Sequence, residues 1–447
     1  MIPNSTHYWL RNAHVPEALM VCSKGRSQEW ATSEQGTTRD GLLGVDIEIR
    51  DGAIASLATI GTLISDNAPS VDLQGGMVFP CFVDLHTHLD KGHTWERNPN
   101  PDGTFDSALA TLAVDSAQNW TPDDLYQRMT FGLKCSYAHG TKAIRTHLDS
   151  AGKLGQMSFE VFQTVREEWR DRLILQPVCL VSLDYFLTPE GEKLADLVAE
   201  VGGILGGVAF LNPDIEAQID RAFTLAKDRD LNLDFHTDET DDPASNCLSL
   251  IAQATQRYQY QERVVCGHCC SLARQTPDVA RSTIQAVKQA KIGIVSLPLC
   301  NLFLQDRHPG QTPHWRGVTL LHELKQEGVP VAVASDNCRD PFYGYGDHDA
   351  LEVFSWSTKI AHLDRPYSDW CRIVTSTPAD LMGLPTVGRL GVGLPADLVL
   401  FKARRYSELL ARSQRDRTVL RSGKAIDTTL PDYAELDPLI ETVGTDW

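Results

Sequence analysis

The sequence predicts an α/β fold: a (β/α)8 TIM-like barrel over residues 79–380 with a small composite β-sandwich domain formed by both chain ends, residues 1–78 and 381–447. Three observations predict it. Eight strand-like apolar runs recur through the middle of the chain. Amphipathic stretches separate them, as in repeated strand–helix units that surround a parallel sheet with helices. The two ends share a different texture, made of short strands and turns.

Taken in order, Val45-Asp46-Ile47-Glu48-Ile49-Arg50 alternates, and Asp51-Gly52 offers a hairpin turn before Ala53-Ile54. Residues 77–85, Met-Val-Phe-Pro-Cys-Phe-Val-Asp-Leu, read as one buried strand and open the middle region. Further strand-like runs follow at 142–147, 173–180, 207–210, 232–236, 263–268, 293–297 and 331–336. After the third run, Leu194, Leu197, Val198 and Val201 fall at i, i+3, i+4 and i+7, the spacing of one helix face. Residues 396–401 and 419–424 return to strand and turn, and the acidic end after Ala425 reads as a surface tail.

A chain of 447 residues with a formal charge of −18 can bury a large core but lacks the cationic surplus that nucleic acid and anionic membranes attract. No run of about eighteen apolar residues appears, and Met1 to Trp9 lacks the basic-then-apolar start of a signal peptide. These features predict a cytoplasmic location and no nucleic-acid or membrane partner. The eleven cysteines, scattered and odd in number, read as reduced thiols. Cys266-Gly267-His268-Cys269 has the spacing of a redox dithiol, but it lies inside the repeated architecture. With no second Cys-x-x-Cys, it is not half of a four-cysteine zinc site.

Barrels of this kind carry their chemistry at the C-terminal ends of the strands. The first strand ends in His86-Thr87-His88, and the period of two puts both imidazoles on one side. Alone, the pair suits strand-end histidines bonded to solvent or backbone equally well. Four other ends carry His147-Leu148-Asp149, His236-Thr237-Asp238-Glu239, His268 and Ser335-Asp336-Asn337. His86, His88 and His236 with the Asp336 carboxylate would hold one divalent transition metal and still admit a water. Such an ion brings the pKa of that water from about 15.7 to around 7, making hydroxide available for attack at neutral pH. Glu239, three residues past His236, would take a proton from the water and pass it to the substrate. His268 would hydrogen-bond the attacking oxygen. Plainer readings stand beside these: Glu239 as one of a solvated acidic run at 238–242, His268 as a support to a ligand, and His147 as a satisfied strand-end histidine.

These stretches, with Arg145-Thr146-His147-Leu148-Asp149, Asp336-Asn337-Cys338-Arg339-Asp340-Pro341 and Pro298-Leu299-Cys300-Asn301-Leu302-Phe303-Leu304-Gln305, resemble the amidohydrolase superfamily, within it the bacterial cytosine deaminase group. Gly391-Val392-Gly393-Leu394-Pro395-Ala396-Asp397 is similar to that superfamily's return to its β-sandwich. The resemblance covers nearly the whole chain. It implies one zinc or iron ion and hydrolytic deamination of an amino-substituted nitrogen heterocycle (cytosine-like, pterin-like or a related ring). It also implies that Glu239 shuttles a proton to a ring nitrogen and that Asp336 ligates the metal and helps protonate the departing ammonia. A homo-oligomer is consistent with it. No lysine stands at the third or fourth strand end, so a carboxylated-lysine bridge between two metals is not supported.

The departures from that group fall among the substrate-reading residues. Where cytosine deaminases place a glutamine after the third strand, this chain has Val181-Ser182-Leu183-Asp184, with Ser182 as the counterpart and Asp184 beside it. Asn337 replaces a second aspartate, and Phe342 replaces a tryptophan. Losing a bidentate amide reader changes specificity, and the shorter Ser182 makes room for a larger ring. Two other classes remain: an amidohydrolase cleaving a cyclic amide or an alkylamine C–N bond, and a non-catalytic barrel scaffold.

Overall fold

In the computed structural model, Asp51 and Gly52 take φ of 49° and 83°, the left-handed pair that a two-residue primed turn requires. The turn joins β2 (Leu42–Arg50) to β3 (Ala53–Thr59), and Arg50 faces Ala53 across it. With β1 (His7–Pro16) and β4 (Ser70–Asp72) they form a sheet in the order β3-β2-β1-β4. The structure describes residues 2–21, 40–61, 67–367 and 369–440. The chain clusters into two units, residues 1–83 with 136–143 and 349–430, and residues 84–135 with 144–348 and 431–447.

The apolar run at 77–85 is two strands, not one. β5 (Val78–Pro80) ends before Cys81, and β6 (Phe82–Thr87) begins after it. Pro80 has no N–H with which to carry the ladder onward, and the chain changes sheets there. The second unit's strands continue with β7 (Thr141–Asp149) and β8 (Ile174–Leu180), in the sheet order β6-β7-β8. Next come β9 (Leu205–Ala209), β10 (Leu233–Thr237), β11 (Val264–His268), β12 (Gly293–Ser296) and β13 (Val331–Val333). These five form a parallel sheet in the order β13-β12-β11-β10-β9. Isolated parallel bridges pair Val178 with Ile204 and Thr87 with Asp336. Helices such as Pro189–Glu200 alternate with the strands, and Leu194 and Val198 point that helix's buried face inward. The unit is therefore α/β with a parallel sheet. Back in the first unit, β14 (Leu398–Leu400), β15 (Thr418–Arg421) and β16 (Lys424–Ala425) pair in the order β16-β15-β14-β5.

The acidic end is more than a surface tail. Leu436, in the short turn Tyr433–Leu436, is buried against Phe131 and Cys135, and the Tyr433 ring lies 5.5 Å from that of Phe131. These two apolar residues supply an anchor that the surrounding charges conceal. Residues 441–447 of that segment lie outside the described residues. Among the described residues no helix is long and apolar enough to cross a membrane.

Beneath the strand ends a buried polar layer fixes the register. Arg145 of β7 donates to Asp234 of β10 at 2.7 Å and to Gln176 of β8 at 3.0 and 3.2 Å. Burial alone would neutralise Asp234 and raises its pKa, against the pull of Arg145. Removing one partner of such a pair strands a buried charge. Arg145→Met is expected to lower the unfolding free energy by about 3–5 kcal/mol, measured by denaturant titration, and Arg145→Met/Asp234→Leu to regain much of that loss.

Candidate active site

Three imidazoles and one carboxylate converge at the strand ends. Nε2 of His236 lies 3.2 Å from Nε2 of His86 and 3.2 Å from Nε2 of His88. Oδ1 of Asp336 lies 3.4 Å from His86 Nε2 and 3.2 Å from His88 Nε2. All four side chains are buried. His86 and His236 are the next-to-last residues of β6 and β10, His88 lies just beyond β6, and Asp336 three residues past β13. The Asp336 N–H bonds His86 O at 2.8 Å, and Thr87 Oγ1 donates to Asp336 O at 2.8 Å, so the first and last strands hold two donors side by side. Gly267 leaves space for His86, since a Cβ there would lie 3.1 Å from its Cε1.

The electrostatics favour a cation at this point. Burial, with Lys91 nearby, pushes His88 down to about 3, and burial holds His236 well below its ordinary value. His88 and His236 are thus neutral, with lone pairs available. Asp336 is held well below the carboxylate range: burial opposes ionisation, but the neighbouring His268, His86 and His88 outweigh that. Ligand atoms about 2.0–2.1 Å from a tetrahedral ion stand about 3.3 Å apart, the spacing seen here. Both Asp336 oxygens lack a hydrogen-bond partner despite their burial. The donor set fits a divalent transition metal.

His268 ends β11 and also reaches this cluster, its donor within 4.8 Å of those of His86, His236 and Asp336. Its Nδ1, Glu239 Oε1 and Asn301 Nδ2 form a triangle with 3.1 Å sides. Burial works against a charged His268, but the carboxylates of Glu239 and Asp336 raise it above its usual value. Glu239 is 8% exposed, whereas Asp241 and Asp242 are exposed, so it is no part of a solvated acidic face. Asp238 is spent on structure: it accepts from Ser245 Oγ and from the N–H groups of Cys247 and Leu248, at 2.6–3.0 Å.

A cavity of about 200 Å³ opens over this floor, lined by His88, His236, Glu239 and His268. Ser182, Asn337 and Phe342 also line it. Asp184 does not: it is exposed in the turn Leu183–Leu187. Asn337 donates to Asp340 Oδ2 at 2.8 Å. Sequence reasoning passed over Lys91, which lines the cavity, bonds Asp149 Oδ1 at 2.8 Å and lies 5.5 Å from the Phe342 ring centre. It also passed over Asn301 and over Phe105 and Phe210 in the apolar wall. The signal for Lys91 was its place directly after His-x-His-Leu-Asp. His147 makes no hydrogen bond at either ring nitrogen; its Nε2 lies 3.9 Å from Asp234 Oδ1 and its ring 3.9 Å from that of His86. Cys266 and Cys269 are buried thiols pushed up by desolvation, the opposite of a reactive dithiol.

The sequence profile of the amidohydrolase family matches residues 190–426. A pterin deaminase from Rhizobium rhizogenes is 51% identical over 441 residues, 98% of each chain. This chain belongs to the amidohydrolase family. The amidohydrolase is also 25% identical over 370 residues to the N-isopropylammelide isopropyl amidohydrolase of a Pseudomonas species, covering 80% of this chain and 87% of that one. Among solved structures, the 5-methylcytosine deaminase of Klebsiella pneumoniae liganded with 5-fluorocytosine superposes with a TM-score of 0.80 at 24% identity, over 95% of this chain and 98% of that one. That likeness shows the fold.

The Asn301 amide touches both Glu239 and His268, so its loss should disturb both. Asn301→Leu is expected to reduce turnover roughly 10–100-fold with bound metal unchanged, checked by steady-state kinetics and elemental analysis of one sample.

Proposed function

We propose that this amidohydrolase is a metal-dependent deaminase that releases ammonia from an amino-substituted nitrogen heterocycle, with a bicyclic ring of the pterin type as the first candidate. The observation that carries the proposal is that Glu239 and His268 line the cavity beside the convergent His86, His88, His236 and Asp336 donors. The 51% identity to a pterin deaminase supports the ring class. We further read the second unit as a closed (β/α)8 barrel, because the Val178–Ile204 and Thr87–Asp336 bridges link its two sheets at both edges.

His86, His88, His236 and Asp336 would hold one zinc or iron ion, which when bound lowers the pKa of water toward neutrality and so supplies a nucleophile. The reaction adds water to the amino-bearing ring carbon, breaks the C–N bond and leaves a ring carbonyl and ammonia. Glu239 stands where it can accept the water's proton and deliver it to a ring nitrogen. His268, bonded to Glu239, is placed to donate to the oxygen as charge develops on it. Phe105, Phe210 and Phe342 offer apolar faces to a flat ring, while Lys91, Ser182 and Asn337 offer polar groups to its edge. Ser182 in place of a long amide leaves the width a second ring needs.

A panel of aminopterins, aminopyrimidines, aminotriazines and N-alkylated triazines, assayed for free ammonia, tests the proposal. Ammonia from the pterins is expected; alkylamine release without ammonia would replace this reading with C–N cleavage of an alkylamine. Glu239→Gln should keep its metal and lose about 10²–10⁴-fold in turnover. Unchanged turnover would remove the assigned proton carrier.

A further inference from the structure

A second cluster of donors lies outside the catalytic floor. His93, Cys338 and His348 place their donor atoms within 4.8 Å of one another, and all three side chains are buried. Nε2 of His93 is 3.3 Å from Nε2 of His348, the separation found among the catalytic imidazoles. Two histidines and a cysteine form the mixed nitrogen–sulfur set that zinc prefers.

The backbone is arranged around this set. The His93 N–H donates to Cys338 O at 3.0 Å, and the His348 N–H donates to the Cys338 sulfur. His93 and His348 both adopt left-handed backbone, at φ 63° and 52°, as do His268 and Asp336 at 64° and 62°. Gly132 keeps room for the His348 ring, since a Cβ there would lie 2.9 Å from its Nε2. Phe131 closes the side of His93, with ring centres 4.8 Å apart. The donors come from the two segments that also carry cavity residues: Lys91 precedes His93, and Asn337 and Phe342 flank Cys338.

We infer that His93, Cys338 and His348 form a second metal site, selective for zinc, that ties the segment after β6 to the segment after β13. The reading is independent of the catalytic assignment, because sulfur distinguishes the two sites: His86, His88, His236 and Asp336 contain none.

Cobalt reports the difference. Full-length protein stripped of metal and reconstituted with Co²⁺ alone should show a near-ultraviolet sulfur-to-cobalt charge-transfer band and bind a second equivalent. Cys338→Ser should lose the band and one equivalent while keeping the other. A wild-type protein that takes one equivalent with no such band overturns the site, and so does a band that survives Cys338→Ser. Should the variant fail to fold, X-ray absorption of zinc-loaded wild type decides: a sulfur neighbour at about 2.3 Å accompanying a second equivalent supports the site, and a zinc shell of nitrogen and oxygen alone overturns it.

Discussion

Four electron-rich atoms held 3.2–3.4 Å apart in a water-poor pocket repel one another unless a positive charge lies between them, and much of the second unit serves to hold them there. His88 and His236 do not relieve the repulsion by taking up protons, because burial, with Lys91 beside His88, holds both below their ordinary values. The strain falls on the scaffold. Ser335 donates its hydroxyl and its N–H to Asp84, tying the start of the Asp336 segment to β6. Arg145 and Asp234 brace β7 against β10 two residues below His236. These bonds make the convergence of donors a property of the folded backbone, before any ion arrives.

The same geometry separates reaction from recognition. The floor is polar, and its side chains lie at or just past the ends of β6, β10 and β11 and after β13. Strands bonded on both sides move little, which suits groups that must meet a reacting atom within a fraction of an ångström. The walls also draw on the helix Phe105–Asn119, the segment around Ser182 and the turn around Phe342. A wall residue can be exchanged without moving the floor. On the proposed reading, substrate preference can therefore change through Ser182, Asn337 or Phe342 while the floor stays in place.

That division also sets what the sequence discloses. Strands and the donors at their ends follow local rules, alternation and the period of two, so His86, His88, His236, His268 and Asp336 could be named from sequence and do meet. The Asp51-Gly52 turn was legible for the same reason. Residues 77–85 were misjudged because hydrophobicity alone does not say where a buried chain changes sheets; only Pro80 hinted at it. Asp184 was drawn in by its nearness in sequence to Ser182, but in the turn Leu183–Leu187 neighbours point apart. Lys91 and Asn301 were missed because their roles arise from contacts with Asp149, Glu239 and His268, 33 to 62 residues away in sequence. The anchor at Leu436 depends on Phe131, about 300 residues away.

Asp238, His268, Asp336, His93 and His348 all adopt positive φ without being glycine, at about 1–2 kcal/mol each. Asp238 shows one way the cost is met, through three bonds from the segment that begins the helix Cys247–Arg257. At His268 and Asp336 the compensation is the charge complementarity of the site itself. His93 and His348 have backbone bonds to Cys338 and a close imidazole pair, but no carboxylate of the catalytic kind among their three donors. An ion shared by the two imidazoles and the thiolate would hold both residues in that conformation and, through them, the two segments that carry Lys91, Asn337 and Phe342.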